Sequence, residues 1–120
     1  MFDHIGLKVK NLDASVQFYQ AALENLGYVL AAQGDGYAGF GPPDQPALWL
    51  YAAADAQAGS THIAFGAADH KQVKGFHAAG LAAGGRDNGK PGLRTEYSPT
   101  YYGAFLIDPD GNNVEAVCYG

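Results

Sequence analysis

Residues 4–27 recur in altered form 58 positions further along the chain. At that offset His4 pairs with His62, Ile5 with Ile63, Phe18 with Phe76, Ala21 with Ala79, Leu23 with Leu81 and Gly27 with Gly85. Composition alone would supply roughly two identities over such a stretch, so these six mark a duplicated unit. The period exceeds that of solenoid repeats, and two copies cannot make a linear array. The expectation is two units paired around a shared cleft, the first spanning about 1–55 and the second about 59–120. No linker or low-complexity tract separates them, and 120 residues suffice for a single domain.

Each unit reads β-α-β-β-β, an α+β pattern. In the first, residues 4–9 alternate, with Ile5, Leu7 and Val9 facing the helix that follows. Asn11 or Asp13 caps that helix, its apolar stripe is Leu12, Val16, Tyr19, Leu23 and Leu26, and Gly27 stops it. Strands at 28–32, 37–40 and 47–53 complete the unit, punctuated by Gly34, Gly36 and Pro42-Pro43. In the second unit a strand at 61–65 precedes Asp69 and Gln72, which match a capping box. Val73, Phe76, His77, Gly80 and Leu81 form the helical face, closed by Gly84-Gly85. A glycine-rich loop at 84–92 then leads to strands at 101–107 and 113–119. Asp108-Pro109-Asp110-Gly111 between them is a hairpin turn, because Pro presets φ and Gly accepts a positive one.

Charge narrows the function. Seven Lys and Arg stand against 12 Asp and Glu, a net charge of −5. Duplex nucleic acid requires clustered cations to neutralise phosphates, so it is excluded as a partner. No apolar run approaches the ~20 residues of a membrane span, and the first residues lack a basic-then-apolar leader pattern. Cys118 has no second cysteine to pair with, which suits a reducing compartment. A soluble, acidic, cytoplasmic protein is expected.

Strand parity picks out candidate ligands. With Ile5, Leu7 and Val9 turned toward their helix, His4, Gly6 and Lys8 occupy the other face. In the matching strand Ile63 and Phe65 pack inward and leave His62, Ala64 and Gly66 opposite. Each histidine therefore stands among small residues where a core-facing sheet would carry Val or Leu, and the empty space suggests a ligand. Asn113, Glu115 and Val117 share one face of the last strand, and an unpaired carboxylate there would cost several kcal/mol. Two imidazoles and a carboxylate suit a divalent cation such as Zn²⁺, Fe²⁺, Mn²⁺ or Ni²⁺. A lone strand histidine is more often a hydrogen-bonded surface or core residue; equivalent placement in two repeats is what favours ligation.

Asp3-His4-Ile5-Gly6-Leu7, Ser15-Val16-Gln17-Phe18-Tyr19 and Thr61-His62-Ile63-Ala64-Phe65, with Tyr102-Gly103-Ala104-Phe105, Asp108-Pro109-Asp110-Gly111-Asn112 and Val114-Glu115-Ala116-Val117, carry a family likeness. The sequence resembles the vicinal oxygen chelate superfamily, which includes glyoxalase I, bleomycin-resistance proteins, fosfomycin-resistance enzymes and extradiol dioxygenases. The resemblance implies paired βαβββ units curled into an open, cup-shaped sheet around a metal. It also implies a homodimer, often with units of two chains completing each cup. By position His4, His62 and Glu115 match the family's usual metal ligands.

Departures from the pattern sort the branches. Glyoxalase I adds a carboxylate ligand on the last strand of its first unit, and here that position falls near Trp49 in a strand without an acid. Authentic glyoxalase I is therefore disfavoured. Fosfomycin-type transferases grip a phosphonate with cations, and Lys90 and Arg94 are candidates for holding an anionic group. The other reading of both is solvated loop charge. Extradiol dioxygenases share the ligand trio but use further histidines, whereas His70 and His77 fall on the second helix as structural or solvent-facing residues. Bleomycin-resistance proteins bind drugs without metal and have generally lost the ligands that His4, His62 and Glu115 supply here. Trp49, Tyr51, Tyr97, Tyr101 and Tyr102 offer an aromatic wall for a small organic ligand, and Tyr101 or Tyr102 is a candidate proton donor. Strand neighbours face opposite ways, so only one of that pair can line the cup. The expected function is a metal-dependent lyase or transferase on a small oxygen-rich substrate. A non-catalytic binding protein and an extradiol-type dioxygenase are the alternatives.

Overall fold

Alternation and capping build the two halves alike. A computed structural model describes residues 1–120. The first half runs β1 (Ile5–Val9), α1 (Leu12–Glu24), β2 (Val29–Gly34), β3 (Tyr37–Gly41) and β4 (Leu48–Ala52). The second runs β5 (His62–Gly66), α2 (His70–Ala82), β6 (Arg86–Leu93), β7 (Tyr102–Ile107) and β8 (Asn113–Cys118). Each half is a four-stranded sheet of the same order, β1-β4-β3-β2 and β5-β8-β7-β6. The first and last strands of each unit pair in parallel, and the remaining pairs are antiparallel. No helix is long and apolar enough to cross a membrane.

The helix starts follow side-chain capping. Asn11, not Asp13, caps α1, its Oδ1 accepting the Ala14 N–H. Asp69 Oδ1 accepts the Gln72 N–H at the start of α2, while Gln72 Oε1 reaches back to the Ala68 N–H. The buried face of α1 is Ser15, Phe18, Tyr19, Ala22 and Leu23, so the expected stripe is rotated and Leu12 and Val16 are only half-buried. The cause is tertiary: α1 is covered by its own sheet and also by α2, which widens the buried arc toward Phe18 and Ala22. On α2, Val73, Phe76, His77 and Gly80 are buried as expected, whereas Leu81 faces solvent.

One further expectation is corrected. The glycine-rich segment at 84–92 is a strand, β6, rather than a loop. It lies at the edge of its sheet, where only one side must pair, so Gly and Pro91 are tolerated and register slips occur between Asp87 and Gly89 and between Gly89 and Gly92. Where the two units meet, Ile5, Tyr28 and Phe40 of the first and Ile63 and Phe65 of the second line one apolar recess. Each helix covers one face of its own sheet, the helices pack on each other, and one core of 20 buried residues spans both halves. The uncovered sheet faces therefore lie on the sides away from the helix pair.

The join between units centres on the buried Asp108, at the start of the β7–β8 turn. Its Oδ1 accepts the backbone N–H groups of Asp110 and Asn112, and its Oδ2 accepts from Asn112 Nδ2 and, at 2.5 Å, from the Tyr19 hydroxyl of α1. Burial, then the Asp108 charge, raises the Tyr19 phenol well above its ordinary value. Asp110 continues the clasp, accepting from the Lys10 N–H and the Ser15 hydroxyl. Behind α2, buried His77 donates to Asp87 at 2.9 Å; that bond, then the Gly89 N–H, lowers the Asp87 carboxyl. Tyr19→Phe removes a donor to a buried carboxylate and is expected to cost about 1.5–3 kcal/mol in urea unfolding, with Asp108→Ala costing more. Losses below about 0.5 kcal/mol for both, the range of ordinary surface changes, would contradict the clasp.

Candidate metal centre

The open face of the second sheet carries His62, Glu115 and Phe105. Register sets Glu115 between Ala64 of β5 and Phe105 of β7, one row from His62. Alternation turns Val114, Ala116 and Cys118 into the core and leaves Glu115 on the other face, yet its carboxylate is only 3% exposed. Glu115 Oε1 lies 2.9 Å from His62 Nε2, and Oε2 accepts the Tyr101 hydroxyl at 2.6 Å. His62 Nδ1 meets the Asn113 carbonyl at 3.0 Å, and a carbonyl only accepts, so Nδ1 carries a proton. With Nδ1–H committed, the contact between Nε2 and Oε1 is attractive when a proton on either atom lies between them, or when both share a cation. Burial, then the hydrogen bond to Glu115, raises the Tyr101 phenol above its ordinary value.

His4 stands elsewhere. Its Nδ1 bonds Asp3 Oδ1 at 2.6 Å, which leaves Nε2 as the free nitrogen of a half-exposed ring. It borders an apolar recess of about 270 Å³ lined by Ile5, Tyr28, Phe40, Ile63 and Phe65 among others. Ile5, expected against α1, opens partly onto this recess. No three His, Cys, Asp or Glu side chains of the chain converge to hold a metal ion. The structure thus brings His62 and Glu115 together and keeps His4 apart from them. Both histidines nonetheless have Nδ1 tied to an acceptor, the arrangement that presents Nε2 as a donor.

The remaining candidates divide by face. Tyr101 reaches Glu115, whereas Tyr102 is buried on the helix side and stacks on His70, with ring centroids 3.7 Å apart. Tyr102 is therefore a packing residue, and its candidacy as a proton donor is withdrawn. Arg94 places its guanidinium 5.5 Å from the centre of the Phe105 ring and donates from Nη2 to the Lys90 carbonyl at 2.6 Å, without an acidic partner. The exposed Lys90 side chain acts on Asp87, whose carboxyl its charge helps to lower. On the first sheet, register aligns Gly6, Trp49 and Gly39 in one row and Lys8, Tyr51 and Tyr37 in the next. Trp49 rests on Gly39, where a Cβ would come within 2.7 Å of the ring. Trp49 and Tyr51 therefore line the open face of the first unit, not the face that carries Glu115. Sequence reasoning missed Phe105, which stacks with His62 at 6.4 Å, and Asp3 as the partner of His4. Strand parity across β7 could have found the former and adjacency the latter.

The model of the Glyoxalase/Bleomycin resistance protein/Dioxygenase superfamily matches residues 1–116. The chain belongs to this superfamily. Among solved structures, it is similar to a glyoxalase/bleomycin resistance protein from Albidiferax ferrireducens T118, at 31% identity over 98% of both chains with a TM-score of 0.86. A superfamily enzyme from Burkholderia phytofirmans PsJN shares the fold at 14% identity over 98% of both chains, with a TM-score of 0.75. A glyoxalase-related enzyme from Fulvimarina pelagi does so at 19% identity and a TM-score of 0.72, over 94% of this chain and 84% of that one. No curated protein matches the chain. Superfamily members commonly use divalent metals and bind small molecules.

The donor chemistry of this chain fits such an ion in part. An imidazole nitrogen and a carboxylate oxygen 2.9 Å apart can share one ion ~2.1 Å from each. A buried carboxylate facing that nitrogen also supplies the negative charge a divalent ion requires. If the His62–Glu115 pair serves a ligand rather than the fold, replacing both together by His62→Leu and Glu115→Leu should leave chelator-treated protein as stable or up to about 1–4 kcal/mol more stable in urea unfolding. A loss of about 3 kcal/mol or more would make the pair structural.

Proposed function

We propose that the protein is a divalent-metal-dependent enzyme of lyase or transferase type, acting on a small oxygen-rich substrate as a homodimer. The observation that carries this reading is the buried Glu115 carboxylate paired with His62 Nε2 on an open sheet face. His62 and Glu115 supply two donors, and His4 of the partner subunit supplies the third. That assignment is supported by the repeat, which sets His4 at the position equivalent to His62, and by the Asp3 contact that leaves its Nε2 free. A cup built from the second sheet of one chain and the first sheet of the other would also bring Trp49 and Tyr51 opposite Glu115.

A divalent ion held by His62, Glu115 and His4 of the partner subunit would supply Lewis-acid polarisation of the substrate. The chain's own residues do the rest. Asn113 and Asp3 fix the imidazole tautomers. Arg94, restrained by the Lys90 carbonyl and Phe105 and lacking a carboxylate partner, orients an anionic group of the substrate. Trp49 and Tyr51 provide apolar contact and exclude water. No carboxylate stands at the Trp49 position, so a proton shuttle of the glyoxalase I kind has no base there. The His62–Glu115 contact also closes without an ion when Nε2 is protonated, and this observation favours the second reading, a non-catalytic binder of small molecules.

Elemental analysis separates the two. Purified protein should hold near-stoichiometric divalent metal, with His62→Ala and Glu115→Gln each losing most of it. Protein that stays metal-free after reconstitution with Zn²⁺, Mn²⁺, Ni²⁺ and Fe²⁺ would overturn the enzyme reading in favour of the binder. With metal present, assays of thiol addition to an epoxide, hemithioacetal isomerisation and catechol cleavage divide the reaction classes, the last reporting a dioxygenase.

A further inference from the structure

We infer that Tyr101 is a positioning residue that holds Glu115 to a single donor oxygen. This deepens the metal reading above and rests on it. The Tyr101 hydroxyl donates to Oε2 at 2.6 Å, while Oε1 faces His62 Nε2 at 2.9 Å, so the two carboxylate oxygens have separate partners. Oε2 is occupied by a proton donor, and only Oε1 is left on the side of the imidazole.

The ring that carries this hydroxyl is fixed from several directions. Tyr97 and Tyr119 meet it edge to face, with centroids 5.0 and 5.4 Å away. Beneath it Gly103 has no side chain: a Cβ there would come within 3.1 Å of Tyr101 Cε1 and 3.4 Å of Glu115 Oε2. The bare backbone of β7 is thus a seat for both the phenol and the carboxylate it holds. Tyr101 therefore does not have its proton free for a substrate, as a catalytic acid would require. Its contribution is geometric. A carboxylate restricted to one oxygen leaves open a coordination position that binding through both would take, and a substrate chelating through two oxygens needs such positions.

Cobalt(II) titration of the metal-stripped, full-length protein tests this without any turnover assay. Tyr101→Phe keeps the ring and removes only the hydroxyl. It should bind Co²⁺ about 10–100-fold more weakly in competition with a chelator, and its visible absorption band should change in shape and intensity as the carboxylate turns. Gly103→Ala, which crowds both groups, should alter the band in the same way. Tyr102→Phe, whose hydroxyl lies on the helix side, should match the unmodified protein. Tyr101→Phe with an unchanged band and affinity would overturn the inference and leave the metal reading standing. Unmodified protein that binds no Co²⁺ would overturn that reading, and this inference with it.

Discussion

The Asp108 carboxylate organises the molecule. Buried at the start of the β7–β8 turn, it accepts two backbone N–H groups, the Asn112 amide and the Tyr19 hydroxyl. The first three bonds shape the turn and set where β8 begins; the fourth anchors that turn to the helix of the other unit. Because strand faces alternate, a fixed start for β8 determines that Val114 enters the core and Glu115 does not. Asn112 extends the same control to β5, since its Oδ1 accepts the Thr61 N–H beside His62. One carboxylate thereby governs the strand pair on which the candidate donors stand.

The same clasp has a consequence for the site. It holds the units together through their helices, so the two uncovered sheet faces are not brought onto one another. His62, Glu115 and Phe105 belong to one face and Trp49 and Tyr51 to the other, with His4 at the edge strand of the first sheet. A chain that buries a carboxylate on an otherwise open face accepts a cost that packing alone would not select. Here that carboxylate is met by an imidazole and a phenol rather than by the aliphatic side chains around it. The proposed metal role of Glu115 rests on this pairing.

Much of the fold was legible because the unit is duplicated and its signals are local. Strand alternation, the Asn11 and Asp69 caps and the Asp-Pro-Asp-Gly turn each act over a few residues, and each was read within a residue or two. Errors arose where a distant element decided the outcome. The second covering surface on α1 rotated its buried face, and the edge position of β6 let a segment rich in Gly and Pro pair as a strand. At the site, parity set His62 on the face away from its helix and Glu115 with Asn113 and Val117, and the β5–β8 pairing makes the two neighbours. Parity could not say that the units meet through their helices, because that depends on Tyr19 reaching Asp108, 89 residues away. The parity that puts Phe105 on the open face also separates Tyr101 from Tyr102, since 101 and 105 share a face and 102 turns into the core with Ala104 and Leu106.

In the proposed function the donors of one site come from two chains. The most direct test is metal binding by dimers reassembled from an equal mixture of His4→Ala and His62→Ala chains. Each variant alone should bind no metal. A mixed dimer regains one site with all three donors intact, so the mixture should recover about a quarter of the unmodified metal content for random pairing of symmetric dimers. Mixtures that bind no more metal than either variant alone, while unmodified protein treated identically binds fully, would contradict a site shared between chains.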